Sequence, residues 1–177
     1  KSFTFDRPWC KIIAEWVKRA KLLTEGLLSG YAGKNWNRVK RDIFSGESSH
    51  SNFPDGGIYH DEWFVGKHLG GGQELVKIGE ERFTRLYAGG TLDPEMLEKL
   101  GISTKDVGSY LIKKIKELGE RTRLFADCMP GPEGDWEYSY TVLRHNQDSL
   151  PVTIAMEEIK YKSRLVHLHP FIISPIK

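Results

Sequence analysis

The 177-residue chain has 39% hydrophobic residues, 28% charged residues, two cysteines and a formal net charge of +2. These proportions exclude a disordered chain, and the length suits a single domain, residues 1–177, with a core of its own. No apolar run approaches the roughly 20 residues that cross a bilayer, and the small net charge argues against direct nucleic-acid binding as a function.

The cysteines indicate the compartment. Cys10 and Cys128 are far apart in the chain and lack the spacing of metal ligands, so we expect two reduced thiols in a cytoplasmic protein. We expect no secretory signal and no membrane partner.

The first predicted helix begins near Asp6 and Pro8, a capping residue followed by a proline in the first turn. Gly26 and Gly30 are its candidate ends. Apolar side chains recur at helical spacing between these limits and predict one buried face. That face consists of Ile13, Trp16, Val17, Ala20, Leu23 and Leu27.

Two further helices follow in the middle of the chain. LDPEMLEKLG predicts a short helix with Asp93 as its cap and Gly101 just past its end. STKDVGSYLIKKIKELG predicts a longer one, because Ser103 and Asp106 have capping-box spacing and Gly119 can end the helix. Its buried face is predicted to be Val107, Leu111, Ile115 and Leu118, and its solvated face Lys113, Lys114 and Lys116.

Six strands are predicted in two groups of three: IYHDEWFV, LVKI and RFTRLYA, then WEYSYTVL, TIAMEEIKY and RLVHLHPFII. Both groups run from a tyrosine strand through a glutamate-aliphatic strand to a closing strand, and a helix precedes each. We therefore predict an internal duplication of residues about 9–90 and about 104–177, in which Tyr59 matches Tyr138 and Glu74 matches Glu158. The predicted fold class is α+β, a mainly antiparallel sheet with helices on one face.

A set of short motifs has a recognisable order. The motifs are Tyr59-His60-Asp61, Gly72-Gln73-Glu74, Tyr87-Ala88-Gly89, Gly131-Pro132, Asp135-Trp136-Glu137-Tyr138 and Glu157-Glu158-Ile159. From about Trp9 onward the chain resembles a family of small prokaryotic proteins of unknown function. The resemblance implies two copies of a helix-and-strand unit. Because some members are fused to helix-turn-helix DNA-binding domains, it also implies a sensing role. The chain departs from the family pattern at Ala155-Met156 and at His169-Pro170-Phe171, where glycines are expected.

Aromatic rings and carboxylates in the two strand groups predict a cleft for an unidentified small molecule. Flat rings offer stacking surface, and a partly desolvated carboxylate can orient the donors of a ligand. The function we expect is a small-molecule-binding or sensing domain. The expected ligand-binding residues are Tyr59, His60, Trp63, Gln73, Glu74, Tyr87, Trp136, Tyr138 and Glu158.

Two other functional classes remain open. One is an enzyme that uses Glu74 or Glu158 as a general acid or base, with Asp61 and Glu157 as further carboxylate candidates. The other is an interaction module, as a monomer or as a homodimer, in which exposed tyrosines and tryptophans anchor the partner.

The glycine run Gly70–Gly72 is predicted to be a strand connection or bulge. A phosphate-binding loop would require a following helix, and strand-like residues follow instead.

The histidines raise the question of a metal. His167-x-His169 puts two rings on one face of a strand, where they can share an ion. His50, His60 and His68 have no recognised ligand spacing. We predict no metal and no cofactor.

Overall fold

One antiparallel sheet organises the chain. The computed structural model describes residues 8–41, 44–64, 66–145 and 150–176, with side chains described from residue 18. The elements are α1 (Pro8–Ser29), β1 (Asn37–Lys40), β2 (Ser45–Asn52), β3 (Ile58–Phe64), β4 (Leu69–Ile78), β5 (Glu81–Thr91), α2 (Pro94–Glu98), α3 (Thr104–Leu118), a 3-10 turn (Gly119–Arg121), β6 (Trp136–His145), β7 (Thr153–Tyr161) and β8 (Arg164–Ile176).

The strands of the described chain form one eight-stranded sheet in the order β1-β2-β3-β4-β5-β8-β7-β6. Every neighbouring pair is antiparallel. The α+β class with a mainly antiparallel sheet is therefore confirmed. The last strands of the two predicted groups, β5 and β8, pair with each other at the centre.

The two middle helices agree with their predicted limits. The side chain of Asp93 accepts a hydrogen bond from the backbone N–H of Glu95 at the start of α2. Ser103 and Asp106 form the predicted capping box of α3, and Gly119, at φ 53°, caps its end. The four predicted apolar residues of α3 are all buried.

Lys114 departs from the prediction of a solvated lysine face. Its side chain is only 2% exposed, and its ammonium group contacts the carboxylates of Glu117 and Glu133. The reason is the helical period. Position 114 lies three residues after Leu111 and four before Leu118, on the buried stripe itself.

Helix α1 continues through Gly26 to Ser29, so Gly26 does not end it. A Cβ atom at position 26 would lie 2.2 Å from Cγ of Tyr59. The glycine therefore allows the tyrosine ring to pack against the helix backbone. Leu23 and Leu27 are buried as predicted. Asp6 and the side chains of Cys10, Ile13, Trp16 and Val17 lie outside the described residues.

Two strands were not predicted, and a third is longer than predicted. β1 and β2 read NRVK and SGESSHSN, without the apolar alternation that indicates a strand. β4 begins at Leu69, so Gly70–Gly72 lie within a strand that pairs with β5 and are not a connection. A Cβ atom on Gly72 would lie 2.5 Å from the hydroxyl oxygen of Tyr87. The glycine leaves room for that ring.

Two groups of buried side chains form the core. The smaller joins α1 to β3, β4 and β5 through Leu22, Leu23, Tyr59, Val76, Phe83 and Leu124. The larger joins α2 and α3 to β6, β7 and β8 and includes Leu97, Val107, Leu111, Ile115, Tyr138, Tyr140, Ala155, Ile159, Val166 and Phe171. Among the described residues no helix has the length and apolar character to cross a membrane.

Candidate functional site

A cavity of about 290 Å³ lies where residues of α1, α3 and the sheet meet. β3 and β5 contribute Asp61, Trp63 and Tyr87, and β8 contributes two histidines. The stretch that leads into β4 also lines it. The lining residues that concern the chemistry are Tyr31, Asp61, Trp63, His68, Glu74, Tyr87, Gly108, Arg123, His167 and His169.

A buried ion pair lies beside this cavity in the first strand group. Arg85 binds Glu74 through two guanidinium nitrogens, with Nη2 2.5 Å from Oε1 and Nε bonded to Oε2. The Tyr59 hydroxyl donates to Oε1 over 2.7 Å. Glu74 and Arg85 are each 1% exposed. Both oxygens of Glu74 are thus engaged by protein donors.

The second strand group contains a matching cluster. The Tyr138 hydroxyl donates to Oε1 of Glu157 over 2.7 Å, and Arg123 binds both oxygens of Glu157 at 2.7 and 2.5 Å. Burial opposes ionisation of Glu157, but the adjacent guanidinium group outweighs it and holds the pKa of this carboxyl well below its ordinary value.

The segment 122–124 connects the two clusters. Arg85 donates from Nη1 to the backbone carbonyl of Arg123 over 2.6 Å. The hydroxyls of Thr122 and Tyr138 are 2.5 Å apart, and Tyr140 donates to the carbonyl of Leu124 over 2.7 Å. The backbone of Arg123 has a φ of 58°, which is uncommon for a residue with a side chain. Contacts from both strand groups hold it in this conformation.

Asp61 is a buried acidic group of the cavity lining that, unlike Glu74, has no arginine bound to it among the described residues. It is 1% exposed and accepts a hydrogen bond from the Tyr87 hydroxyl over 3.0 Å. Burial, together with the nearby charge of Glu74, raises the pKa of Asp61 to about 8. Near neutral pH the protonated form therefore predominates, and a protonated acid can both donate and accept a hydrogen bond.

The histidines of β8 converge on Glu157. Nε2 of His167 lies 3.5 Å and Nδ1 of His169 lies 3.7 Å from Oε2 of Glu157. Both separations exceed an ordinary hydrogen bond, and neither nitrogen has a hydrogen-bond partner in the described chain. Burial lowers the pKa of His169 despite this carboxylate, which favours the neutral ring.

The structure gathers only part of the predicted ligand-binding set. Trp63, Glu74 and Tyr87 line the cavity. Tyr59 and Tyr138 are buried beside it, 0% and 3% exposed, and act as donors to the two glutamates. Because they are buried, these two tyrosines do not supply exposed anchors for a partner, and the interaction-module alternative itself stays a prediction.

Four predicted residues lie elsewhere. His60 and Gln73 line a separate groove on the other side of their strands. Trp136 stacks on Tyr110 of α3 with ring centroids 4.8 Å apart. Glu158 is 34% exposed in its side chain and lies near Lys160. Alternation along a strand explains why the side chains of His60 and Glu158 point away from the cavity, because the neighbours of inward-facing residues face outward.

The matching of the two groups needs one correction. Tyr59 stands opposite Val76, two residues after Glu74, and Tyr138 stands opposite Ile159, two residues after Glu157. Glu157, not Glu158, therefore has the strand position of Glu74. An error of one residue reverses the face of a strand.

The predicted ligand-binding set omits several residues that line the cavity, among them Asp61, Arg123, His167 and His169. The spacing of the two histidines was visible, but their acidic partner belongs to another strand. Nothing local to Arg123 distinguishes it from other arginines of the chain.

Comparison of the chain with models of protein families finds no match, and comparisons with curated proteins and with solved structures find none either. The resemblance to a prokaryotic family therefore stays a prediction.

Proposed function

We propose that the protein binds a small organic molecule in the cavity, as a binding or sensing domain. One observation carries the proposal. Buried ring nitrogens of His68, His167 and His169, which have no hydrogen-bond partner among the described residues, line the same cavity as the carboxyl of Asp61 and the rings of Trp63 and Tyr87. Buried polar groups are normally satisfied, so such a lining favours a polar occupant.

The lining also restricts the chemistry of the ligand. A volume of about 290 Å³ is close to the lower end of ligand pockets, roughly 300–1,000 Å³. The protonated carboxyl of Asp61 can donate to a carbonyl or ring nitrogen and accept from an amine or hydroxyl. Aromatic side chains beside it suit a flat ligand. The class we propose is a compact, planar molecule with adjacent hydrogen-bond donors and acceptors.

Gly108 allows a direct test. It lies in α3 and lines the cavity, and a Cβ atom built on it meets no atom within 4 Å. Gly108→Leu should therefore fill part of the cavity without a clash. Replacing a helical glycine should also retain or increase stability, by up to about 1 kcal/mol. Gly108→Ala is the matched control, because it supplies the helix propensity without the bulk.

The experiment is a thermal-shift screen of small planar heterocycles and amides, with hits measured again on both variants. A ligand that binds only the folded state stabilises it by RT ln(1 + [L]/Kd) and so raises the melting temperature. We expect hits on the wild-type protein that persist in Gly108→Ala and disappear in Gly108→Leu. A screen without hits, or hits that survive in folded Gly108→Leu, would contradict the proposal.

An enzyme is the second candidate, and the observation that favours it is Asp61. A buried carboxyl with a pKa of about 8 is close to the value that suits general acid–base catalysis at neutral pH. Glu74 suits this role less well, because Arg85 and Tyr59 occupy both of its oxygens. Glu158 lies outside the cavity lining. The catalytic role, if present, is therefore assigned to Asp61.

The proposal includes the duplicated architecture expected from the sequence, with helices on one face of the sheet and units of about 9–90 and about 104–177. Its support is the repeated tyrosine–glutamate–arginine cluster and the pairing of β5 with β8. A pseudo-twofold axis between β5 and β8 would relate β3 to β6, β4 to β7 and β5 to β8. The cavity would then lie near the junction of the two units.

A further inference from the structure

Three potential metal ligands meet on neighbouring strands β7 and β8. Glu157 stands directly opposite His169 in the antiparallel register, and His167 lies two residues before His169 on the same face. One oxygen or nitrogen from each of the three lies within 4.8 Å of the other two. The arrangement depends on strand pairing, so the spacing of histidines along the chain could not reveal it.

His167 and Glu157 have lone pairs that no described protein group uses. His167 is 4% exposed, and neither of its ring nitrogens has a hydrogen-bond partner in the described chain. Oε1 of Glu157 accepts from both Tyr138 and Arg123, whereas Oε2 accepts one hydrogen bond from Arg123. A carboxylate oxygen has two lone pairs, so Oε2 keeps one, and both imidazoles are close to that atom.

We infer that Glu157, His167 and His169 form a site for one divalent transition-metal ion. Ligand atoms about 2.0–2.2 Å from an ion, at tetrahedral or octahedral angles, lie about 3.0–3.5 Å apart. The separations of 3.5 and 3.7 Å from Oε2 to the two imidazole nitrogens are close to that range. Both histidines line the cavity. The ion therefore faces it and keeps coordination positions for water or a ligand.

The surroundings determine which ions fit. Two imidazoles and one carboxylate suit zinc and the later first-row ions, whereas magnesium and calcium prefer oxygen ligands. Arg123 orients the carboxylate as an outer partner, but its positive charge opposes a second cation. Ions that gain most from nitrogen ligands overcome this repulsion best. The expected order of affinity is zinc and nickel, then cobalt, then manganese, with no binding of magnesium.

The test is a titration of tag-free, chelator-treated protein with Co²⁺ alone, followed by visible absorption and calorimetry. We expect one equivalent to bind and Zn²⁺ to displace it. His167→Ala and His169→Ala should each weaken binding at least tenfold. His68→Ala is the matched control, since His68 also lines the cavity but is not one of the three ligands. No organic ligand enters this experiment, so its outcome is independent of the proposed function.

A second measurement uses only the wild-type protein, so it tests the inference even where a histidine variant fails to fold. Co²⁺ is paramagnetic and should shift the imidazole resonances of His167 and His169 before those of the other histidines. Absence of saturable binding, equal affinity in wild type and both folded variants, or shifts centred on another histidine would each overturn the inference.

Discussion

Both strand groups contain a buried cluster of a tyrosine, a glutamate and an arginine, but the arginine comes from a different place in each. In the first, Arg85 stands opposite Glu74 on the adjacent strand and neutralises it there. In the second, His169 stands opposite Glu157, and the arginine comes from segment 122–124 instead. His169, whose imidazole lines the cavity, therefore has in the second group the strand position that Arg85 has in the first. The first cluster is satisfied by its own donors, whereas the second keeps unused ligand atoms.

A second difference lies two residues after each tyrosine. Asp61 follows Tyr59 in β3, and Tyr140 follows Tyr138 in β6. Tyr140 donates to a backbone carbonyl and packs in the core, but Asp61 brings an ionisable group to the cavity. Each strand group therefore contributes one kind of ionisable side chain to the cavity lining, the carboxyl of Asp61 from the first and the two imidazoles from the second.

The largest expected effect concerns the first cluster. Glu74→Gln removes the charge opposite Arg85, and leaving a buried guanidinium without its anion costs about 3–5 kcal/mol. Chemical denaturation should reveal the loss in the free energy of unfolding. The control is Glu62→Gln on the same sheet. Its carboxylate pairs with Arg41, whose side chain is 50% exposed, and such pairs contribute about 1 kcal/mol or less. Equal stability of the two variants would refute the structural role of the first cluster.

The next effect depends on pH and concerns Asp61. Its folded pKa of about 8 lies above the ordinary value of about 3.9. Between these two values the folded protein keeps a proton on Asp61 that the unfolded chain has released. The stability linked to this proton is therefore fully present below about pH 4 and is lost as pH rises from there to about 8. Asp61→Asn cannot ionise and should escape this loss.

We expect the unfolding free energy of Asp61→Asn, relative to wild type, to increase by about 2–4 kcal/mol between pH 5 and pH 9. Denaturant titrations at several pH values measure it, with Glu62→Gln again as the control. Parallel stability profiles for wild type and Asp61→Asn would contradict the buried, protonated state of this group.

The smallest effect compares the two tyrosines. Tyr59→Phe removes one hydrogen bond to a carboxylate, worth about 1.5–3 kcal/mol. Tyr138→Phe removes the equivalent bond and also leaves the buried hydroxyl of Thr122 without this partner. The second variant should therefore be less stable than the first by about 1 kcal/mol. Thermal unfolding of both proteins under one condition measures the difference, and the reverse order would contradict the account of segment 122–124.

Much of the local structure could be predicted from the sequence. Helices α2 and α3 begin and end near the expected residues because caps, prolines and glycines act within a few positions. The tyrosine strands were identified because aromatic residues alternate with polar ones over their length. The sequence does not predict β1 and β2, because their polar residues become strands only by pairing at the edge of the sheet, β2 with β3 and β1 with β2.

The candidate site was predictable only in part. Trp63, Glu74 and Tyr87 line the cavity, since each lies on the inward face of its strand, and their role in ligand binding stays a prediction. The prediction placed Glu158 in the cleft, whereas the structure has Glu157 on the inward face, because the sequence alone does not determine which of two adjacent glutamates faces inward. A carboxylate beside the two histidines could not be inferred at all without the register of β7 and β8.

By itself, then, the sequence determined helices α2 and α3 with their caps, the two groups of alternating strands and the α+β class. These depend on interactions between residues close in the chain. The tertiary structure decided that Arg123 crosses to Glu157 and that Asp61 shares a cavity with His167 and His169. The physical reason is that burial and charge pairing depend on which groups fold against each other, and these partners are separated by dozens of residues.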